Sequence, residues 1–241
     1  MINEKTVSDA IEYRRSVRVF SDQDLDSEIV KKCLHNASLA PNSSNLQLWE
    51  FVHVNDDKVL KKLSKACFNQ NAAKTAKQLV VIVVRKDLWK KRANWNIEVI
   101  SNQSKNSQIS DKRLKQAKTY YKKVIPTLYT DFFGILGILK SLIFQTIGLF
   151  RPTMRQVMSS DIRVVAHKSA GLAAQNFMIS MAAIGYDTCP MEGSDTLKVK
   201  NILNLPSGSE INMVIGCGIR TNEGVYGDQL RVPFNEVYTY I

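Results

Sequence analysis

Gln78-Leu79-Val80-Val81-Ile82-Val83-Val84 is the stretch that decides the fold. A strand with one wet face alternates polar and apolar residues. An unbroken β-branched run has no wet face, so it reads as a central strand buried on both sides. Such a strand needs a neighbour on each edge and helices over each face. Glu50-Phe51-Val52-His53-Val54, by its alternation, and Ile211-Asn212-Met213-Val214-Ile215-Gly216-Cys217-Gly218 supply two further strands. Helical patterns do not alternate with them regularly, as a doubly wound sheet requires. The expectation is therefore one α+β domain across residues 1–241.

The helices are legible from their ends. Thr6-Val7-Ser8-Asp9 has the form of a capping box and opens a helix to about Arg14. Asp26 caps a second, with Ile29, Cys33, Leu34 and Ala37 at helical spacing, and Pro41 stops it. A third runs from about Asp56 to Ala66. The longest, from about Asp161 to Ile184, places Val164, Gly171, Ala174, Met178 and Met181 on one face and ends at Gly185. Asp187 to Ser194 reads as a turn, after which Ser194 or Asp195 caps a short helix to about Leu203.

Lys+Arg 33 against Asp+Glu 22 leaves a net charge of +11, which points to an anionic partner without naming it. Much of the excess lies in Asp111 to Lys123, where Leu114, Ala117, Tyr121, Val124 and Leu128 recur at helical spacing. With little aromatic interleaving, this is the solvated face of an amphipathic helix, and no nucleic-acid partner is expected. The apolar run Phe132 to Phe150 is shorter than the roughly 20 residues a membrane span needs. It also contains Lys140, and a central charge costs about 2.5–3.5 kcal/mol on insertion. A lid or a subunit contact is expected there, not membrane-surface contact. The four cysteines, Cys33, Cys67, Cys189 and Cys217, lie far apart, and with the three histidines they complete no metal spacing. No signal peptide is visible at the N-terminus. Reduced thiols in a cytoplasmic protein are the expectation.

Four short stretches carry the chemistry. Arg14-Arg15-Ser16-Val17-Arg18-Val19-Phe20 crowds three guanidiniums into five residues, suited to a phosphate or an electron-rich ring. Ala40-Pro41-Asn42-Ser43-Ser44-Asn45-Leu46-Gln47-Leu48-Trp49 is a loop dense in small polar groups. Gly185-Tyr186-Asp187-Thr188-Cys189-Pro190-Met191-Glu192-Gly193 follows the longest helix, and Arg231-Val232-Pro233-Phe234-Asn235-Glu236-Val237 lies near the end. In this order and spacing the four resemble the motifs of the FMN-dependent nitroreductase family. They depart from them at Asn42 (usually Ser), at Leu48 (usually Pro) and at Gln229 (commonly Lys).

The resemblance implies a mixed central sheet flanked by helices, a variable helical insertion at about 88–155, and an intertwined homodimer with FMN sites at its interface. Arg14, Arg15, Ser16, Arg18 and Arg231 would hold the flavin's phosphate, ribityl chain and N1/O2 edge. Asn42, Ser43 and Asn45 would reach it from the partner chain, and Met191, Glu192 and Gly193 would lie near N5. No side chain is required as acid, base or nucleophile. The implied activity is ping-pong electron transfer from NAD(P)H to a nitroaromatic, quinone or flavin. The alternative is an FMN-binding protein without turnover, for storage or sensing.

Overall fold

The computed structural model describes residues 4–106, 108–131 and 135–241. Its helices are α1 (Val7–Tyr13), α2 (Ser27–Ser38), α3 (Asp57–Ala66), α4 (Asn71–Lys74), α5 (Trp89–Lys105), α6 (Asp111–Thr119), α7 (Ile125–Tyr129), α8 (Ile135–Phe150), α9 (Ser159–Ala183), α10 (Thr196–Ile202) and α11 (Phe234–Val237). Its strands are β1 (Trp49–Val54), β2 (Gln78–Val84), β3 (Asp187–Met191) and β4 (Glu210–Gly218), arranged β1-β2-β4-β3. All of their pairings are antiparallel. The mixed character expected of the sheet is confined to one parallel bridge, Ser16 to Thr188, at the outer edge of β3.

Every residue of β2 is buried. Val80, Ile82 and Val84 enter one core with α2 and α9, while Leu79, Val81 and Val83 enter a second with α3 and α4. The period-2 geometry of a strand thus divides one apolar run between two layers of helix. The one polar residue, Gln78, is satisfied: its Nε2 donates to Leu25 O at 2.9 Å and its Oε1 meets His53 Nε2 at 2.6 Å. A buried amide without those partners would cost about 1–3 kcal/mol.

Helix α9 crosses the sheet through Ala166, Ala170, Ala173, Ala174, Phe177, Met178 and Met181, all buried. Of the face expected to be buried, Ala174, Met178 and Met181 are inside, whereas Gly171 is half-buried and Val164 faces solvent. Ile162 takes its place inside, because the alanines let α2 and the sheet approach closely on that side. The N-cap of α1 also differs in detail. The Thr6 hydroxyl accepts from Asp9 N at 3.2 Å and donates to the Asp9 carboxylate, in place of a reciprocal backbone bond.

Asp187–Met191 is a strand and not a turn. It lies at the sheet edge, and Val17 N donates to Thr188 O from its open side. Pro190, two residues on, directs its missing N–H to that same side, where a proline is tolerated. Between β2 and α9 the chain is helical almost throughout. Asp111 to Tyr129 is not one regular helix but α6, a π turn at Tyr120–Val124 and α7. Of the apolar run, Phe132 to Gly134 lie outside the described residues. Helix α8 exposes Ile135, Leu142 and Phe150. Among the described residues no helix is long and apolar enough to cross a membrane.

Gly216 lets α4 lie against the sheet, since a Cβ there would sit 2.6 Å from Ala72 O. Gly216→Ala is expected to destabilise by about 1–3 kcal/mol, read as a lowered urea midpoint. Burial pushes the Cys33 and Cys67 thiols up to about 11. Unfolded thiols ionise near pH 8.5, so above that pH the unfolded chain binds fewer protons than the native one and stability falls. The urea midpoint should therefore drop as pH rises from about 9 to 11, and Cys67→Ala should flatten that slope.

Candidate functional site

After α1 the chain does not stay helical. The C-cap residue Arg14 is already extended, and residues 16–21 run as a ribbon between two partners. On one side Val17 N bonds Thr188 O at 3.1 Å. On the other, Arg18 N bonds Gly224 O at 2.6 Å, Thr221 N bonds Val19 O at 3.2 Å, and Ser21 N bonds Ile219 O at 2.7 Å. Val17 and Phe20 are buried as anchors. Gly218 leaves room for the Phe20 ring, which a Cβ there would meet at 2.6 Å. The polar residues between these anchors are held at the surface by backbone that cannot move independently of the sheet.

The result is a cleft of about 250 Å³ lined by Arg14, Arg15, Ser16 and Arg18 on one side and by Tyr226, Asp228, Gln229 and Arg231 from the tail on the other. Four guanidiniums separated by more than 200 residues of chain therefore share one small space. Arg15 Nη2 donates to Gly227 O at 2.6 Å, and Arg231 Nη1 donates to Leu230 O at 2.6 Å. Among the described residues none of the four has an ion-pair partner. Burial, then the charges of Arg231 and Arg15, push the Arg14 guanidinium down from its ordinary value. Four guanidiniums against the one carboxylate of Asp228 leave an excess of positive charge that a bridging anion stabilises, and a phosphate matches the guanidinium fork.

Ser16 is exposed beside this cleft. Behind the arginines, Cys189 is fully buried, and burial pushes its thiol up in spite of Arg18 and Arg14 nearby. It is a packing residue and not a nucleophile. Thr188 Oγ1, also buried, has no hydrogen-bond partner. Met191 is buried at the end of β3, whereas Glu192 and Gly193 are exposed just beyond it. Gln70 Nε2 from the start of α4 donates to Gly193 O at 2.8 Å and holds this loop near the sheet. The arginine ribbon, the end of β3 and the tail thus form one continuous region.

Asn42, Ser43 and Asn45 lie elsewhere in the chain, packed on α9 and α5. Ser43 N donates to Ser169 Oγ at 3.3 Å, and Asn42 Oδ1 accepts from Gln47 N at 2.8 Å. The Asn45 side chain turns to Asn96, its Nδ2 donating to Asn96 Oδ1 at 3.1 Å. Within one chain this loop and the arginine cleft share no hydrogen bond. Leu48, in place of the motif's proline, is buried in the core. Gln229 lines the cleft in place of a lysine. Sequence reasoning missed Asn96, Tyr120, Tyr121 and Ser169, which hold this loop, because none belongs to a motif. The π turn at Tyr120–Val124 has no sequence signature that would have shown where its side chains point.

The sequence pattern of the Nitroreductase family matches residues 11–219. Protein DrgA of Synechocystis is 28% identical over 217 residues, covering 89% of this chain and 84% of its own. MhqN of Bacillus subtilis, provisionally named an NAD(P)H nitroreductase, is 27% identical over 235 residues and 95% of each chain. Among solved structures, an Exiguobacterium sibiricum protein in complex with FMN superposes with a TM-score of 0.69 at 18% identity, over 98% of each chain. That likeness establishes the fold.

The arginine cleft predicts a measurable response. Inorganic phosphate should raise the thermal midpoint of the wild-type protein by binding the native state. In Arg231→Ala, the loss of a charge-assisted contact worth about 1.5–3 kcal/mol should remove most of that rise. Differential scanning calorimetry over a phosphate series reads both.

Proposed function

The chain belongs to the nitroreductase family, and on that premise we propose an FMN-dependent oxidoreductase that passes electrons from NAD(P)H to a small acceptor such as a nitroaromatic, quinone or flavin. The observation that carries the reading is the cleft in which Arg14, Arg15, Arg18 and Arg231 converge against the single carboxylate of Asp228, with Arg14 pushed down first by burial and then by the charges of Arg231 and Arg15. Those residues fit a bound phosphomonoester. Arg231 and Arg14 would hold the phosphate, and Ser16 the ribityl hydroxyls. A guanidinium from Arg15 or Arg18 would lie toward the N1/O2 edge, where a cation stabilises the negative charge of the reduced ring. Met191 at the end of β3 and the exposed Glu192 and Gly193 just beyond it would lie toward the flavin's N5 edge.

FMN held there would supply the redox chemistry, hydride uptake from NAD(P)H and electron transfer to a second substrate in ping-pong order. The side chains bind and orient, and none is needed as acid, base or nucleophile. We read the chain as one domain whose helices at about 88–155 form the variable insertion and line the acceptor pocket.

The site is completed by a second copy. Within one chain the loop holding Asn42, Ser43 and Asn45 does not reach the arginine cleft. The tail beyond the cleft, meanwhile, leaves Leu230 at 84%, Phe234 at 72% and Tyr240 at 87% exposure. Several large apolar side chains exposed along one short segment mark an interaction surface, for which a second copy is the partner we infer. A homodimer that places each loop at the partner's cleft accounts for both features. Four free and buried cysteines fit a reducing, cytoplasmic setting.

Purified protein should be yellow, with the visible absorption of FMN, and should oxidise NADH or NADPH in the presence of menadione or nitrofurazone. Yellow protein that oxidises neither nicotinamide would sink the enzyme reading and leave a flavin-binding protein without turnover. Arg18→Ala should lower FMN occupancy or the reduction potential. Light scattering showing a monomer with full FMN would end the shared-site dimer.

A further inference from the structure

The loop from Asn42 to Gln47 adopts a conformation that its own sequence does not favour. Ser44 (φ 57°), Asn45 (φ 49°) and Gln47 (φ 48°) all lie in the left-handed region, and none is glycine. Such residues each cost on the order of 1–3 kcal/mol and persist only where the surroundings hold them. Part of the restraint is internal, from Gln47 N to Asn42 Oδ1, and part comes from Ser169 beneath. The rest comes from the helices between β2 and α9.

Asn96 on α5 is only 3% exposed and faces Asn45. The two exchange a pair of hydrogen bonds, Asn45 Nδ2 to Asn96 Oδ1 at 3.1 Å and Asn96 Nδ2 to Asn45 O at 2.8 Å. The second holds the carbonyl of a left-handed residue. One residue earlier, Tyr121 Oη donates to Ser44 O at 3.0 Å, and Tyr120 Oη lies 2.6 Å from Ser44 Oγ. Adjacent tyrosines on a regular helix point about 100° apart. The π turn carrying these two spreads one turn over more residues, so both hydroxyls reach Ser44. Burial, then Tyr120, pushes the Tyr121 hydroxyl up from its ordinary value, so it remains a donor at neutral pH.

We propose that Asn96, assisted by Tyr121, is a positioning residue that fixes the Asn42–Gln47 loop in its binding conformation, so that FMN retention depends on α5 and the π turn. This rests on the flavin reading above and deepens it. Asn45 acts through the loop's shape more than through its side chain, because its carboxamide is already engaged by Asn96. The insertion that lines the acceptor pocket is thereby mechanically joined to the cofactor loop.

The test compares wild type, Asn96→Ala and Tyr121→Phe by two measurements. Hydrogen exchange at the Leu46 and Gln47 amides reads the loop with no flavin present. Titration of apoprotein with FMN reads the consequence. Both variants should exchange faster at these amides, and FMN should bind about tenfold more weakly to Asn96→Ala and about fivefold more weakly to Tyr121→Phe. The unfolding midpoint of Tyr121→Phe apoprotein should fall only slightly, as the loss of one hydrogen bond requires, whereas a general loss of structure would lower it steeply. Should Asn96→Ala fail to fold, Tyr121→Phe decides alone, since it removes a single oxygen. Folded variants that bind FMN as tightly as wild type, or whose loop amides exchange at the wild-type rate, overturn the proposal. Wild-type protein that takes up no FMN overturns the flavin reading and the flavin part of this proposal. The exchange rates then still decide whether Asn96 and Tyr121 hold the loop.

Discussion

Burial of β2 on both faces is the constraint on which the rest of this structure depends. A strand with no polar face cannot lie at a surface, so helices must cover both sides of the sheet. Alternate residues of β2 then belong to different cores, one closed by α2 and α9 and the other by α3 and α4. At its start, Gln78 is tied to His53 and to the loop at Leu25 and Ser27. At its end, Arg85 is ion-paired to Glu50 and Asp87. Both ends of the central strand are therefore held by polar contacts, while its middle is held by packing.

The arginine cleft grows from that sheet at its opposite edge. β3 pairs with β4 on one side, and on the other its backbone receives the ribbon at Ser16 and Val17. The ribbon in turn pairs with the segment after β4, whose continuation brings Arg231 back to Arg14. Guanidiniums repel, and nothing in their own chemistry would gather them. The backbone hydrogen bonds and the buried Val17 and Phe20 hold them together against that repulsion, which leaves an anion as the favoured occupant. The unpaired charge is thus a consequence of the sheet's edge.

The loop from Asn42 to Gln47 is held by different means. The arginine ribbon takes its shape from strand-like pairing, whereas the Asn42–Gln47 loop is shaped by side chains from α5, the π turn and α9. Two parts of one proposed site therefore depend on different parts of the fold. Changes in the helices between β2 and α9 are free to alter the loop while leaving the arginines in place.

Most of the fold was legible in the sequence, because its signals are local. Three of the four strands, the long helix α9, the cap at Asp26 and the cap at Ser194 or Asp195, which the structure places at Asp195, follow from apolar period, turn chemistry and capping residues. β3 was not legible, since a short segment with a proline is a strand only when an edge is available to receive it. The buried stripe of α9 was legible at Ala174, Met178 and Met181 but not at Val164, for a related reason: which of several small or apolar faces packs inward at that end is set by the partners and not by the helix. The motif residues were legible as chemistry. What sequence alone could not decide was their assembly, because the closeness of Arg14 to Arg231 and the hold of Asn96 on Asn45 arise from contacts between segments far apart in the chain. Local sequence determines which groups are present and which secondary structure carries them, whereas the packing of both faces of β2 determines which of them meet.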